Sequence, residues 1–221
     1  MSFFTFYNLA PKQKAALFEE VGKHYNLPDY TIEKDWWVTL ALHIIFKMET
    51  GPYLLFKGGT SLSKGWGLIE RFSEDIDLVI NREYLGFAPG LISKSQVRRL
   101  RSASYRFITG KFYLQLQEAF AAAGIGAIMF DFENLGDRDQ DPVAILIRYT
   151  PVTVHADYLP PQIKVEIGSR SMMEPFTRRP VRSWVGEVFP EESFADKAFA
   201  IPCVNPERTL LEKLFLLHEE F

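Results

Sequence analysis

The chain has 221 residues, 47% hydrophobic and 24% charged, the composition of a globular protein and not of a disordered one. A net charge of −3 and a sequence pI near 5.9 exclude a protein that is basic overall, so contact with a polyanion would have to come from a local patch. The single cysteine, Cys203, rules out an internal disulfide and a cysteine-based zinc site; no apolar run reaches the roughly 18 residues a membrane span needs, and a cytoplasmic protein without membrane contact is the expectation.

In chain order, Pro11 to Tyr25 reads as a first helix, with a proline in its first turn and Ala15, Leu17, Phe18, Val21 and Tyr25 at helical spacing. A second helix, from Asp29 or Thr31 to about Met48, is apolar nearly all round and so belongs beneath other elements. Residues 53–56 read as a buried strand that breaks at Gly58-Gly59 and restarts as a helix over 60–69, and residues 75–80 read as the next strand. After a loop comes a long helix over about 93–123, with a possible kink at Gly110. It carries Lys94, Arg98, Arg99, Arg101, Arg106 and Lys111 with no acidic residue between Ser93 and Gln117, and is either a solvated face over an apolar one or a seat for an RNA or triphosphate backbone.

Strands are expected over 127–133 and 144–150, joined by the acidic turn 136–142, and over 162–168, where Ile163, Val165 and Ile167 alternate with Lys164 and Glu166. Residues 183–189 and 199–204 read as extended. The last helix opens at Asn205-Pro206-Glu207 and runs to Phe221 with no exit signal, so a further segment is expected beyond it. The organisation is then a helical segment packed on the core (1–50), a core (51–204) and the start of a C-terminal helical region (205–221).

Two stretches carry chemistry. Gly58, Gly59, Thr60 and Ser61 enter a helix from a strand, where exposed backbone N–H groups and the helix dipole make a cradle for phosphate. Asp75 and Asp77, at i and i+2 of a strand, project from one face and can hold a divalent metal together. Phosphoryl and nucleotidyl transfer need in-line positioning and cations on the reacting oxygens, commonly two magnesium ions anchored by carboxylates. Glu166 is the candidate third carboxylate, to deprotonate or orient an attacking hydroxyl; a salt bridge to Lys164 or to an arginine is its alternative role. Lys57 and Lys64 flank the cradle, within reach of phosphates or as plain surface lysines.

The blocks 33–40 (EKDWWVTL), 56–64 (FKGGTSLSK) and 71–78 (RFSEDIDL) resemble the AbiEii/AbiGii toxin family, nucleotidyltransferase-like proteins of the DNA polymerase β superfamily; 164–167 (KVEI) and 209–214 (TLLEKL) are similar to its later blocks. The resemblance implies an α+β minimal nucleotidyltransferase fold, a mixed β-sheet flanked by helices, with N-terminal helices and an added C-terminal helical region. It implies a triphosphate held at Gly58, Gly59, Thr60 and Ser61, with Lys64 beside them, magnesium or manganese on Asp75, Asp77 and Glu166, and Lys213 acting near the nucleotide. The activity implied is transfer of a nucleoside monophosphate from a nucleoside triphosphate to a hydroxyl, such as a tRNA 3′ end or other RNA, by the toxin of a toxin–antitoxin or abortive-infection system with a cognate antitoxin protein. A phosphotransferase using the same site, or a non-catalytic nucleotide-binding module controlled by a partner, are the alternatives.

Overall fold

The structure is a computed structural model that describes residues 2–69, 72–88, 90, 93–154, 160–171 and 173–219. Helices α1 (Ser2–Tyr7), α2 (Pro11–Tyr25) and α3 (Asp29–Ile45) lead into strand β1 (Leu54–Lys57). A helical turn, α4 (Gly58–Thr60), continues as a π-helical turn (Ser61–Gly65) and is followed by β2 (Ile76–Ile80). Then come α5 (Lys94–Phe107), a π turn (Ile108–Phe112), α6 (Tyr113–Ala122) and strands β3 (Ile128–Glu133), β4 (Val143–Tyr149), β5 (Gln162–Gly168) and β6 (Phe176–Val181). The chain closes with α7 (Trp184–Val188), β7 (Phe199–Val204) and α8 (Pro206–Glu219).

The strands form one seven-stranded sheet in the order β3-β4-β5-β2-β1-β7-β6, the α+β mixed sheet flanked by helices that the sequence predicts. The central pairs are mixed: β2 runs parallel to β5 and antiparallel to β1, while β1 runs parallel to β7. Period-two alternation divides the residues between two faces. Leu54, Phe56, Ile76, Leu78, Ile163, Val165, Ile167 and Cys203 are buried on the face that shares the main core with α3. Leu55 and Val79 point the other way, into a small second cluster with Val204, and Lys57, Asp77 and Glu166 share that face by alternation.

α3 is buried along almost its whole length, against α2, α6, α7 and β5. Its tryptophans explain why: Trp36 packs 4.9 Å from Phe6 of α1, and Trp37 stacks on Tyr149 of β4 at 4.7 Å. The charged triplet at its start is buried as well, and each member ties a different segment down. Glu33 accepts N–H bonds from Val152 (2.9 Å) and Thr153 (3.0 Å); Lys34 bonds the Pro160 carbonyl (3.1 Å) and pairs with Glu74; Asp35 pairs with Lys64 and accepts the Trp184 N–H at 2.9 Å.

Three expectations are corrected. Residues 184–188 are helical, not extended, because Ser183 caps them by accepting the Gly186 N–H at 3.0 Å. The helix expected over 60–69 starts at Gly58 and unwinds after Gly65. The helix expected to run to Met48 ends at Ile45. The expected kink at Gly110 is a π turn over Ile108–Phe112, and the helix start near Ser93 is a capping box in which Ser93 and Gln96 bond each other's backbone N–H. Helix α1 and edge strand β6 were not read from the sequence; β6 carries Arg178, Arg179 and Pro180, residues that suit a sheet edge and obscure a strand pattern.

Candidate active site

The site is built where β1, β2 and β5 lie side by side. Lys57 pairs with Asp77 across the β1–β2 ladder, and Asp77 pairs with Glu166 across the β2–β5 ladder, so register alone lines up Lys57, Asp77 and Glu166 on one face. Ala144 follows Glu166 in the same row on β4, and Glu133 of β3 follows Ala144. Asp75 sits just ahead of β2 and is exposed.

Gly58 connects this row to the glycine turn expected to form the cradle. Its φ of +76° suits glycine, and a Cβ there would overlap the carboxylate of Asp77. The backbone of the cradle therefore lies directly against the acid. Gly59 is half-buried beside it. The two hydroxyls of the motif are turned to structure: buried Thr60 bonds Ser73 Oγ at 2.8 Å, and buried Ser61 bonds the Phe56 carbonyl at 3.4 Å. What the turn offers a ligand is backbone, not hydroxyl.

Electrostatics mark the row as strained. Asp77 is pushed up to about 6, by burial first and then by Glu166 and Asp75, with Lys57 and Lys164 opposing. Asp75 is raised too, by loss of solvent, by Glu74 and by Glu166. Lys164 Nζ stands 2.7 Å from Glu166 and 2.7 Å from Glu133, and its own pKa is raised by those bonds. Glu166 thus borders Asp77 in the ladder and makes the salt bridge to Lys164 that was its alternative role.

A cavity of about 350 Å³ opens on the row, lined by Lys57, Asp77, Glu166, Asp141, Arg170, Ser171, Arg208 and Glu212 among others. Sequence reading missed the last five as site residues. Asp141 lay in a stretch read only as a turn, yet it is buried, with its Oδ1 accepting the Ser169 N–H at 3.0 Å and Arg170 at 3.6 Å from Oδ2; burial raises its pKa. The available signal was its place at the head of β4, the strand beside Glu166. A larger cavity, about 640 Å³, lies toward the other end of the strands between Phe46, Leu55, Met173 and Pro202 and contains none of the site carboxylates.

One site expectation falls elsewhere. Lys64 is not brought to the carboxylate row: it is buried against Asp35, bonds the Arg182 carbonyl at 3.3 Å, and lines a separate cleft with Trp184. The side chain of Lys213, like Arg71, lies outside the described residues. Asp75, Asp77 and Glu166 present the hard oxygen donors that magnesium or manganese takes, and a cation would offset the burial and the neighbouring carboxylates that raise the two aspartates. In the present side-chain arrangement, no group of three or more His, Cys, Asp or Glu among the described residues is gathered as a metal-holding set. The donor chemistry fits a divalent cation.

The basic helix divides in the same way. Arg101 donates to the Asp139 carbonyl at 2.7 Å, and Lys111 reaches Glu49 at 3.3 Å and the Tyr84 hydroxyl at 3.4 Å. Lys94, Arg98, Arg99 and Arg106 are exposed, and none forms a salt bridge among the described residues. No helix among the described residues is long and apolar enough to cross a membrane.

No curated protein matches the chain. Residues 41–220, spanning β1 to α8 and every carboxylate of the row, match a family model described as nucleotidyl transferase AbiEii toxin, type IV toxin–antitoxin system; the EKDWWVTL block lies just ahead of the match. The chain belongs to the AbiEii family of nucleotidyltransferase-like toxins.

Proposed function

We propose that this protein transfers a nucleoside monophosphate from a nucleoside triphosphate to a hydroxyl of RNA. The observation that carries the reading is the apposition of Asp77 and Glu166 on adjacent parallel strands, with the Gly58 backbone packed against Asp77. The backbone N–H groups at Gly58 and Gly59 would receive phosphate oxygens, and Lys57 would neutralise them from the neighbouring strand. Asp75, Asp77 and Glu166 would hold magnesium, or manganese in its place, which would supply charge neutralisation on the attacking and leaving oxygens. The Glu166 carboxylate would take the proton of the acceptor hydroxyl as its oxygen bonds to the α-phosphorus and the bond to pyrophosphate breaks.

The RNA would lie along α5. Its exposed Lys94, Arg98, Arg99 and Arg106 make a local cationic surface on an acidic protein, and Arg101 joins that helix to the loop bearing Asp141 at the edge of the cavity. Family membership supports a toxin whose product arrests growth until a cognate antitoxin opposes it.

The test is to incubate the protein with magnesium, total RNA and each nucleoside triphosphate labelled at the α- or γ-phosphate. α-Label in RNA supports the reading, and Asp77→Asn should abolish it while the protein stays folded. γ-Label alone would make it a phosphotransferase, and bound nucleotide with no label moving would make it a binding module.

A further inference from the structure

Beyond the carboxylate row, the cavity holds a cluster contributed by α8 that the transfer chemistry does not use. Arg208 and Glu212 stand one helical turn apart on one face of α8, with Arg208 Nε 3.2 Å from Glu212 Oε1. The other oxygen of Glu212 faces Lys57 at 3.7 Å, and Lys57 also donates to Ser171 Oγ at 3.1 Å. All four residues line the cavity with Asp77 and Glu166, and Arg170 stands at its rim. Each side chain of the Lys57–Glu212–Arg208 bridge is only about one-quarter exposed: 28%, 26% and 28%.

Lys57 is also the register partner of Asp77. A cation in register with Asp77 is therefore held by a carboxylate from the C-terminal helix. A carboxylate and a phosphate compete for the same donors: both offer paired anionic oxygens to an ammonium and a guanidinium, and phosphate brings more charge. Glu212 occupies these donors with an anion the chain carries itself.

We propose that Glu212 is a built-in stand-in for the polyphosphate of the nucleotide, and that substrate binding exchanges it off Lys57 and Arg208 for phosphate oxygens. The proposal rests on the nucleotidyltransferase reading of the site. It makes Lys57 and Arg208 polyphosphate ligands and makes Glu212 a positioning residue that holds them in place until substrate arrives. It also gives α8 a role in the site, since release of Glu212 loosens the tie between that helix and β1. Lys213 is not needed for this exchange.

The consequence is unusual for the loss of an ion pair: removing Glu212 should strengthen ligand binding. Titration of the full chain with inorganic tripolyphosphate in magnesium buffer, followed by calorimetry, reads this without reference to base or acceptor. E212Q should bind about three- to five-fold more tightly, the scale of one partly exposed ion pair. K57M and R208M should each bind about ten-fold more weakly, the scale of a lost charge-assisted bond. In a K57M/R208M background E212Q should have no further effect, because the cations it competes for are gone. Weaker or equal binding by E212Q, or an undiminished E212Q gain in the double-variant background, overturns the exchange, as does failure of the unaltered chain to bind tripolyphosphate. If nucleotide is transferred to RNA but E212Q gains no affinity, only the exchange falls. If the affinities follow the pattern but no nucleotide is transferred, the polyphosphate site stands and the transferase reading falls.

Discussion

Asp77 and Glu166 face each other across the β2–β5 ladder, and burial, reinforced by this apposition, pushes the Asp77 carboxyl up to about 6. Two acids in register on neighbouring strands repel each other unless a proton or a cation joins them. The sign follows from proton binding. With a folded pKa raised above the ordinary 3.8, the native state holds the proton over a range in which the unfolded chain has lost it, so stability falls as pH rises from about 4 to 6 and then levels off. The Asp77→Asn variant escapes this loss. It should melt higher than the parent at pH 7, by up to about 2–3 kcal/mol of stability, and the two should converge near pH 4. Thermal melts of both proteins across that range check it; a variant less stable than the parent at pH 7 would show that Asp77 is satisfied rather than strained.

Gly58→Ala tests the contact between cradle and acid. The positive φ costs an alanine about 1 kcal/mol, and the added Cβ would displace the Asp77 carboxylate from its position. Gly110→Ala, where an added Cβ meets nothing within 4 Å and φ is not positive, is the control. The expected outcome is a folded Gly58→Ala protein, destabilised by about 1–2 kcal/mol in denaturant titration and without transfer activity, beside a Gly110→Ala protein of near-parental stability.

How much of this was legible in the sequence depends on how local the cause was. Helix α2 and strands β5 and β7 agree with their predicted limits residue for residue, because caps, prolines and strict alternation are local features. Asp77 and Glu166 could be proposed as partners from their patterns, but only the register of two strands almost ninety positions apart places them side by side. Lys64 shows the opposite case. Its position next to the glycine motif suggested phosphate contact, whereas the π turn carries it round to a carboxylate on α3. Glu212 and Arg208 were not singled out, because nothing in α8 itself reveals that Glu212 meets Lys57 of β1.

The Lys64–Asp35 pair yields a stability prediction that separates its role from catalysis. Asp35 is buried, and desolvation raises its pKa despite Lys64 and the Trp184 N–H. Asp35→Ala would leave the Lys64 ammonium buried without its partner, at a cost of about 3–5 kcal/mol. The paired replacement Asp35→Leu with Lys64→Met removes both charges and should recover most of that loss. Chemical denaturation of the three proteins measures the difference. The paired variant should still bind tripolyphosphate; loss of that binding in a stable protein would return Lys64 to the nucleotide site.

The exposed cations of α5 give the last prediction. Arg98, Arg99 and Arg106 form no salt bridge among the described residues, and the amphipathic helix already has its buried side fixed by Leu100 and Ser104. Replacing all three with glutamate should therefore leave the melting temperature within a few degrees of the parent, since exposed substitutions rarely move stability by more than about 0.5 kcal/mol each. If RNA phosphates lie there, affinity for RNA should fall and the slope of log affinity against log salt should become shallower by about 0.7 for each lost contact on a single strand. Tripolyphosphate binding, which belongs to the cavity at Lys57, should not change. A triple variant that binds RNA with the parental salt slope would mean that α5 is a solvated surface and that the acceptor approaches the carboxylate row from another side.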